Sequence, residues 1–289
     1  TDANRPVHPR LRLAPEHRPE PDRVTRENLR QMVRPTTTDP LAIPAPSSDQ
    51  LDTLFAHFAP EFDIGIHSDD DLPGMLYWPA LADLARGESP HVDSRQPVVY
   101  RQVAYTRFGQ QTLLQLVYTL WFPARPITTQ PIDLLAGRLD GLVWRVTLSS
   151  DGEPLVYDSI HPCGCYHMFF PGPSVRALAP PDPHGEWAFS PRRAPPLEPS
   201  QHLVLRIAPT THYLEGLEIA TADHGSPYAW RDYDKLRALA DGTGRQRSVF
   251  DSAGFIVGTD RSESWLFWPM GIPRPGTMRQ WGRHATAFV

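Results

Sequence analysis

Cysteine is nearly missing from this chain: Cys163 and Cys165 are the only two among 289 residues. Two cysteines are too few for a disulfide scaffold, and they do not settle the redox compartment. Lysine is scarcer still, with Lys235 standing alone beside abundant arginine. No run of roughly 18 apolar residues occurs, which excludes a membrane-spanning helix. No block of like charge stands out either. With a net charge of −5 and a pI near 6.2, the chain lacks the basic footprint of a nucleic-acid binder or of a protein held on an anionic membrane. The GxSxG, P-loop and GxGxxG fingerprints are absent.

Proline is in excess, at 33 residues, which limits helix length and implies many fixed turns. Hydrophobic residues make up 40% and aromatics 10%, including eight Trp, enough for a large packed core. Residues 1–46 are rich in Pro, Arg, Thr and Asp and read as an irregular N-terminal arm, with one short helical candidate at Arg23 to Val33. Residues 47–289 read as a single domain. Ser48 or Asp49 can cap a helix whose Leu51, Leu54, Phe55 and Phe58 recur at helical spacing before Pro60.

The strongest strand signal is Val98 to Phe108 and Thr112 to Phe122, β-branched and aromatic runs broken by Gly109, Gln110 and Gln111, which predict a long hairpin. A second hairpin is expected from Gly141 to Leu148 and Pro154 to Ile160 about the Asp151-Gly152 turn. Further strands are expected at 202–208 and 211–219, and a long Pro-rich loop at 172–200 that crosses a sheet edge or lines a site. Short helices are expected at Asp232 to Ala240 and at 277–288, and Trp265 to Trp268 as a buried strand or turn. The fold class is therefore α+β, mainly β: an antiparallel sheet of long hairpins with a few short peripheral helices.

The second hairpin runs into His161-Pro-Cys163-Gly-Cys165-Tyr-His167. In an extended strand the two histidines and two cysteines would share one face. Thiolate and imidazole are preferred ligands of zinc and similar ions. A strand of that length spans roughly 20 Å, however, so one ion can gather two or three of them only if the chain bends at Pro162 and Gly164. His212 and His284 are the outside candidates. The same residues suit thiol chemistry: a small strained Cys163–Cys165 disulfide, or a cysteine nucleophile beside His161 or His167, with Asp158 orienting the base. A purely structural role for the cysteines and histidines also remains open.

Among weaker signals, Asp69, Asp70 and Asp71 read as an acidic turn and Asp140 as turn chemistry. Arg138, Arg145, Arg279 and Arg283 are expected to pair with surface carboxylates such as Asp140 and Glu263, and Trp121, Trp144, Trp265, Trp268 and Trp281 to pack in the core rather than form a sugar-stacking platform.

Tyr157-Asp-Ser-Ile-His161, Cys163-Gly-Cys-Tyr-His167, Phe267-Trp-Pro-Met-Gly271 and Arg279-Gln-Trp-Gly-Arg-His284 resemble an uncharacterised bacterial family from high-GC genomes. The resemblance covers about residues 95–289. It implies a self-contained module, exported or membrane-associated, and assigns no catalytic roles. The leading expectation is a periplasmic or secreted zinc-binding protein, in its catalytic form a hydrolase. It would use two or three of His161, Cys163, Cys165 and His167 as ligands, His212 or His284 as a further ligand, and Asp158 or Glu263 as base. Its substrate, small molecule or polymer, is not specified by the residues. A chain opening on Thr1 suggests a removed leader or membrane anchor. The alternatives are a Cys/His thiol enzyme or redox protein, with Asp158, Cys165 and His167 as its catalytic group, and a non-catalytic binding module.

Overall fold

A computed structural model describes residues 8–35, 39–79, 89–128, 133–179, 187–263, 265 and 269. The chain is mainly β and builds one large curled sheet. The two expected hairpins form its backbone. Strands β5 (Val98–Phe108) and β6 (Gln111–Arg125) pair antiparallel, and β6 pairs in turn with β7 (Gly137–Leu148), which pairs with β8 (Pro154–Ile160). Gly109 takes φ +59, the left-handed conformation that the tight β5–β6 turn needs and glycine adopts without a Cβ penalty. A short strand β9 (Met168–Pro171) closes this side against β8.

The other half is assembled from distant pieces of chain. Strand β1 (Arg10–Pro15) lies inside the sheet, antiparallel to β2 (Glu61–Gly65) and parallel to β12 (Ser226–Asp232), which is parallel to β5. Beyond β2 lie β10 (His202–Ile207), parallel to it, and β11 (Leu214–Ala220) at the edge. Part of the Pro-rich arm thus supplies an interior strand, and β12 was not expected. A separate pair, β3 (Met75–Tyr77) with β4 (His91–Asp93), packs near β6. The segment expected as a helix at Asp232 to Ala240 is a 3-10 turn, Tyr233–Arg237, that buries Leu236.

Strand β6 shows how both faces are covered. Leu114, Leu116, Tyr118, Leu120 and Phe122, every second residue, join the main core with Trp144, Leu54 and Phe62. Trp121 points to the opposite face and packs with Leu76, Tyr100, Leu139 and Val249. Trp121 and Trp144 are both fully buried, as expected of core residues. Trp265, expected to be buried, is exposed. Helix α1 (Arg26–Met32) and helix α2 (Ser48–His57) lie near each other. Helix α2 covers the main core with Leu54 and Phe55, and Tyr118 Oη donates to Phe55 O at 3.0 Å. Its cap is Ser47 in a capping box with Gln50, one residue before the expected position. Expectations for 277–288, Trp268, Trp281, Arg279, Arg283 and His284 lie outside the described residues.

Candidate functional site

The histidine and cysteine run leaves β8 and turns at once. Gly164 N donates to His161 O at 2.7 Å and His161 N donates to Cys165 O at 3.0 Å, so the chain doubles back over Pro162 and Cys163. Pro162 and Gly164 occupy the second and fourth turn positions, which these residues favour, and Gly164 takes φ +85. The bend required by the strand-length argument is present.

It gathers the two thiols and separates the two histidines. Cys163 and Cys165 are free thiols, Cys165 buried and Cys163 partly accessible. The neighbouring Cys165 thiol is the largest influence lowering the Cys163 pKa to about 7; burial opposes it, and the nearby charges of His161 and Arg261 add to it. Cys165 moves upward, because its proton is held by Cys163 and because it is buried beside the Glu263 carboxylate. The Cys165 Sγ donates to Glu263 Oε1 at 3.3 Å. Glu263 is held in place by its own N–H, which donates to Leu134 O at 3.1 Å.

Behind the thiols lies a buried chain of charged groups. His161 Nδ1 is 3.3 Å from Asp140 Oδ1, and His161 Nε2 is 3.2 Å from His212 O. His212 bridges two carboxylates, Nδ1 to Asp140 Oδ2 at 2.8 Å and Nε2 to Asp71 Oδ1 at 3.2 Å, while its ring stacks on Phe122 at 3.9 Å. Arg261 Nη2 donates to Asp140 Oδ1 at 3.1 Å. Burial pushes the Asp140 pKa up, but the attraction and hydrogen bonds of His161 and His212 outweigh it and hold the carboxyl well below the usual range. For Asp71, burial is outweighed by bonds from His212 and from the N–H groups of Thr210, Ser68 and His67, and its pKa falls to about 2. Burial would lower His212, and its hydrogen bond to Asp140 together with the Asp71 carboxylate beside Nε2 raises it instead.

Backbone strain concentrates here. Leu139, Tyr166, Thr210 and His212, all non-glycine, take positive φ values of 47, 56, 66 and 52. Such residues cost about 1–3 kcal/mol each and persist where surrounding contacts hold them, often at functional sites. Arg125 lies alongside, buried, its guanidinium 5.6 Å from the Tyr166 ring centroid and 5.2 Å from that of Tyr213. Its Nε has no hydrogen-bond partner, and among the described residues it forms no ion pair.

His167 belongs to a different place. Its Nε2 lies 2.9 Å from Asp158 Oδ2, and Arg145 binds the same carboxylate through Nε at 2.9 Å and Nη2 at 2.5 Å. Asp158 therefore holds the His167 imidazole, and His167 Nδ1 is buried without a partner. Arg145 and Asp140 have opposite parity on β7, which sets the His167 pair and the Asp140 network on opposite faces of the sheet. Among the described residues neither thiol hydrogen-bonds to His167. The side chains of the run do not converge on a common point with His212, and His284 lies outside the described residues.

Several groups of the site carried little signal in the sequence. Asp140 is 1% exposed and fully engaged, not a turn residue or a surface partner. The hint was a carboxylate inside an otherwise apolar strand, Leu139 to Trp144. Asp71 is the one member of the acidic turn that is buried, and Arg145 pairs with Asp158 rather than with a surface carboxylate. Arg125, Tyr213 and Arg261 had no distinguishing spacing. No protein-family model, curated protein or solved structure matches the chain.

Proposed function

We propose that the protein is a thiol–disulfide redox protein with Cys163 as its nucleophile and Cys165 as its resolving thiol, acting in an extracytoplasmic compartment where disulfide substrates persist. The observation that supports this most is the pairing of a partly accessible Cys163 with a buried Cys165 whose S–H donates to Glu263. A thiolate with a pKa near ambient pH is the best attacking group in exchange. Metal binding by the loop, zinc included, has less support, since its histidines turn to different carboxylates.

The Cys163 thiolate attacks one sulfur of a substrate disulfide; that S–S bond breaks, and the leaving thiolate takes a proton from solvent. Cys165 then gives its proton to Glu263 and attacks Cys163 Sγ, which expels the second substrate thiol and forms the Cys163–Cys165 disulfide. Two electrons pass from the dithiol to the substrate. An external dithiol restores the reduced pair. The small ring closed across Gly164 is strained, which makes the oxidised protein easy to reduce.

Oxidised glutathione serves as the probe. Cys165→Ser protein should accumulate a glutathione adduct at Cys163, while wild type should pass through it to an internal disulfide 2 Da lighter than the reduced chain. Mass spectrometry showing no adduct, or an adduct formed equally fast on Cys165 of a Cys163→Ser variant, would overturn the assignment.

A further inference from the structure

A second group of ligand-type side chains lies in the other half of the sheet. Glu61 is on β2, His202 opens the neighbouring β10, and Asp223 follows β11. We propose that Glu61, His202 and Asp223 form a binding site for a divalent zinc-class ion, separate from the cysteine loop. It is the group among the described residues in which three such side chains offer ligand atoms within 4.8 Å of one another.

Geometry carries the assignment. His202 Nε2 lies 3.1 Å from Glu61 Oε1 and 3.4 Å from Asp223 Oδ1. Ligand atoms of a tetrahedral ion with bonds of ~2.0–2.2 Å stand about 3.3–3.6 Å apart, so little movement is needed to receive one. One imidazole and two carboxylates suit zinc or a similar borderline ion, whereas calcium prefers six to eight oxygens.

A second observation is independent of those distances. Glu61 is completely buried, and its Oε2 has no hydrogen-bond partner; Arg12 Nη1 stands 3.7 Å away, beyond hydrogen-bond reach. A buried carboxylate oxygen left without a hydrogen bond is costly, and an ion held by both Glu61 oxygens, Oε1 facing His202 and Oε2 free, relieves it.

The surroundings supply an outer shell and an open side. Arg18 grips Asp223 through Nε at 3.0 Å to both oxygens and also donates to Ala59 O at 2.8 Å, which fixes the carboxylate's direction. The charges of Arg18 and Arg12 oppose an incoming ion, so the expected affinity is below that of a zinc finger. His202 also lines a cavity of about 330 Å³ whose walls include His57, Phe58, Tyr157, Pro196 and Leu203. With three protein ligands, the fourth position is left for water or a small ligand entering from that cavity.

The test uses full-length Cys163→Ser/Cys165→Ser protein, so that no thiol can bind metal. After dialysis against a chelator, zinc titration should show one ion per chain and a rise in Tm. Asp223→Asn and, separately, His202→Gln in the same background should weaken zinc binding at least about tenfold with unchanged circular dichroism. Absence of zinc binding in the cysteine-free parent overturns the proposal whatever the variants do. So does an Asp223→Asn protein that binds zinc as tightly as the parent. Neither result touches the thiol chemistry, because the thiols are absent throughout.

Discussion

Asp140 is the residue on which the cysteine site depends most. Its two oxygens accept from or face His161, His212 and Arg261, all buried, so it compensates several groups at once. Removing one partner of a buried charged network leaves the others without compensation, at a cost of about 3–5 kcal/mol. Asp140→Asn should therefore lose about that much stability in urea unfolding. It should also leave the Cys163 thiol more acidic, because the Asp140 charge raises the Cys163 pKa. A change below about 1 kcal/mol would show that the three partners find compensation elsewhere.

At the scale of elements, the site is an agreement between strands and loops. Pro162, in the turn after β8, presses on the β6–β7 pair at Gly141: a Cβ there would lie 2.6 Å from Leu120 O and 2.9 Å from Pro162 Cγ. The β6 backbone is fixed by its ladder, so the turn must give way. Gly141→Ala is expected to cost about 1–3 kcal/mol, as overpacking does. Because Cys163 follows Pro162, the substitution should also shift the pH midpoint of Cys163 alkylation, measured by peptide mass spectrometry; loss of stability with an unchanged midpoint would uncouple turn and strand.

The same scale explains what was legible beforehand. The β5–β6 and β7–β8 hairpins were readable because each is a β-branched, aromatic run interrupted by a turn, with both partners adjacent in sequence. Strands β1 and β12 were not, since they pair in parallel with segments far along the chain, and β12 opens Ser226-Pro227 with only Tyr228 buried. Leu11 and Leu13 do alternate with Arg10 and Arg12, but the surrounding prolines hid that period. In the loop, the alternate spacing of His161, Cys163, Cys165 and His167 suggested one shared face. Pro162 and Gly164 gave the bend but not its direction, which is set by Asp140 on β7 and Asp158 on β8, on opposite faces of the sheet.

The whole molecule combines these buried charges into a pH response. Asp71, Asp140 and Asp158 have depressed pKa values in the folded protein, the last because Arg145 and His167 outweigh burial. Their stabilisation is present above the unfolded value near 3.9 and is lost as pH falls through the folded values, for Asp71 about 2. His57 is lowered to about 4 by burial and Arg18, and His202 is lowered as well. The unfolded chain takes up those protons first, so acidification already costs stability from about pH 6.5 downward. His212 acts in the opposite direction: its raised pKa contributes stability below about 6.5 that is lost as pH rises through the folded value. Urea midpoints should fall from pH 7 toward pH 4 and more steeply below it. A profile flat from pH 7 to 4 would contradict the neutral buried state of His57 and His202.

The thiol assignment is tested most directly by the pH dependence of iodoacetamide alkylation at Cys163, followed by peptide mass spectrometry in wild type and in Cys165→Ala. The expected midpoint is about 7 in wild type, moving up toward the ordinary thiol value near 8.5 once the Cys165 thiol is gone. A wild-type midpoint already at the ordinary value, unchanged by Cys165→Ala, would contradict the account.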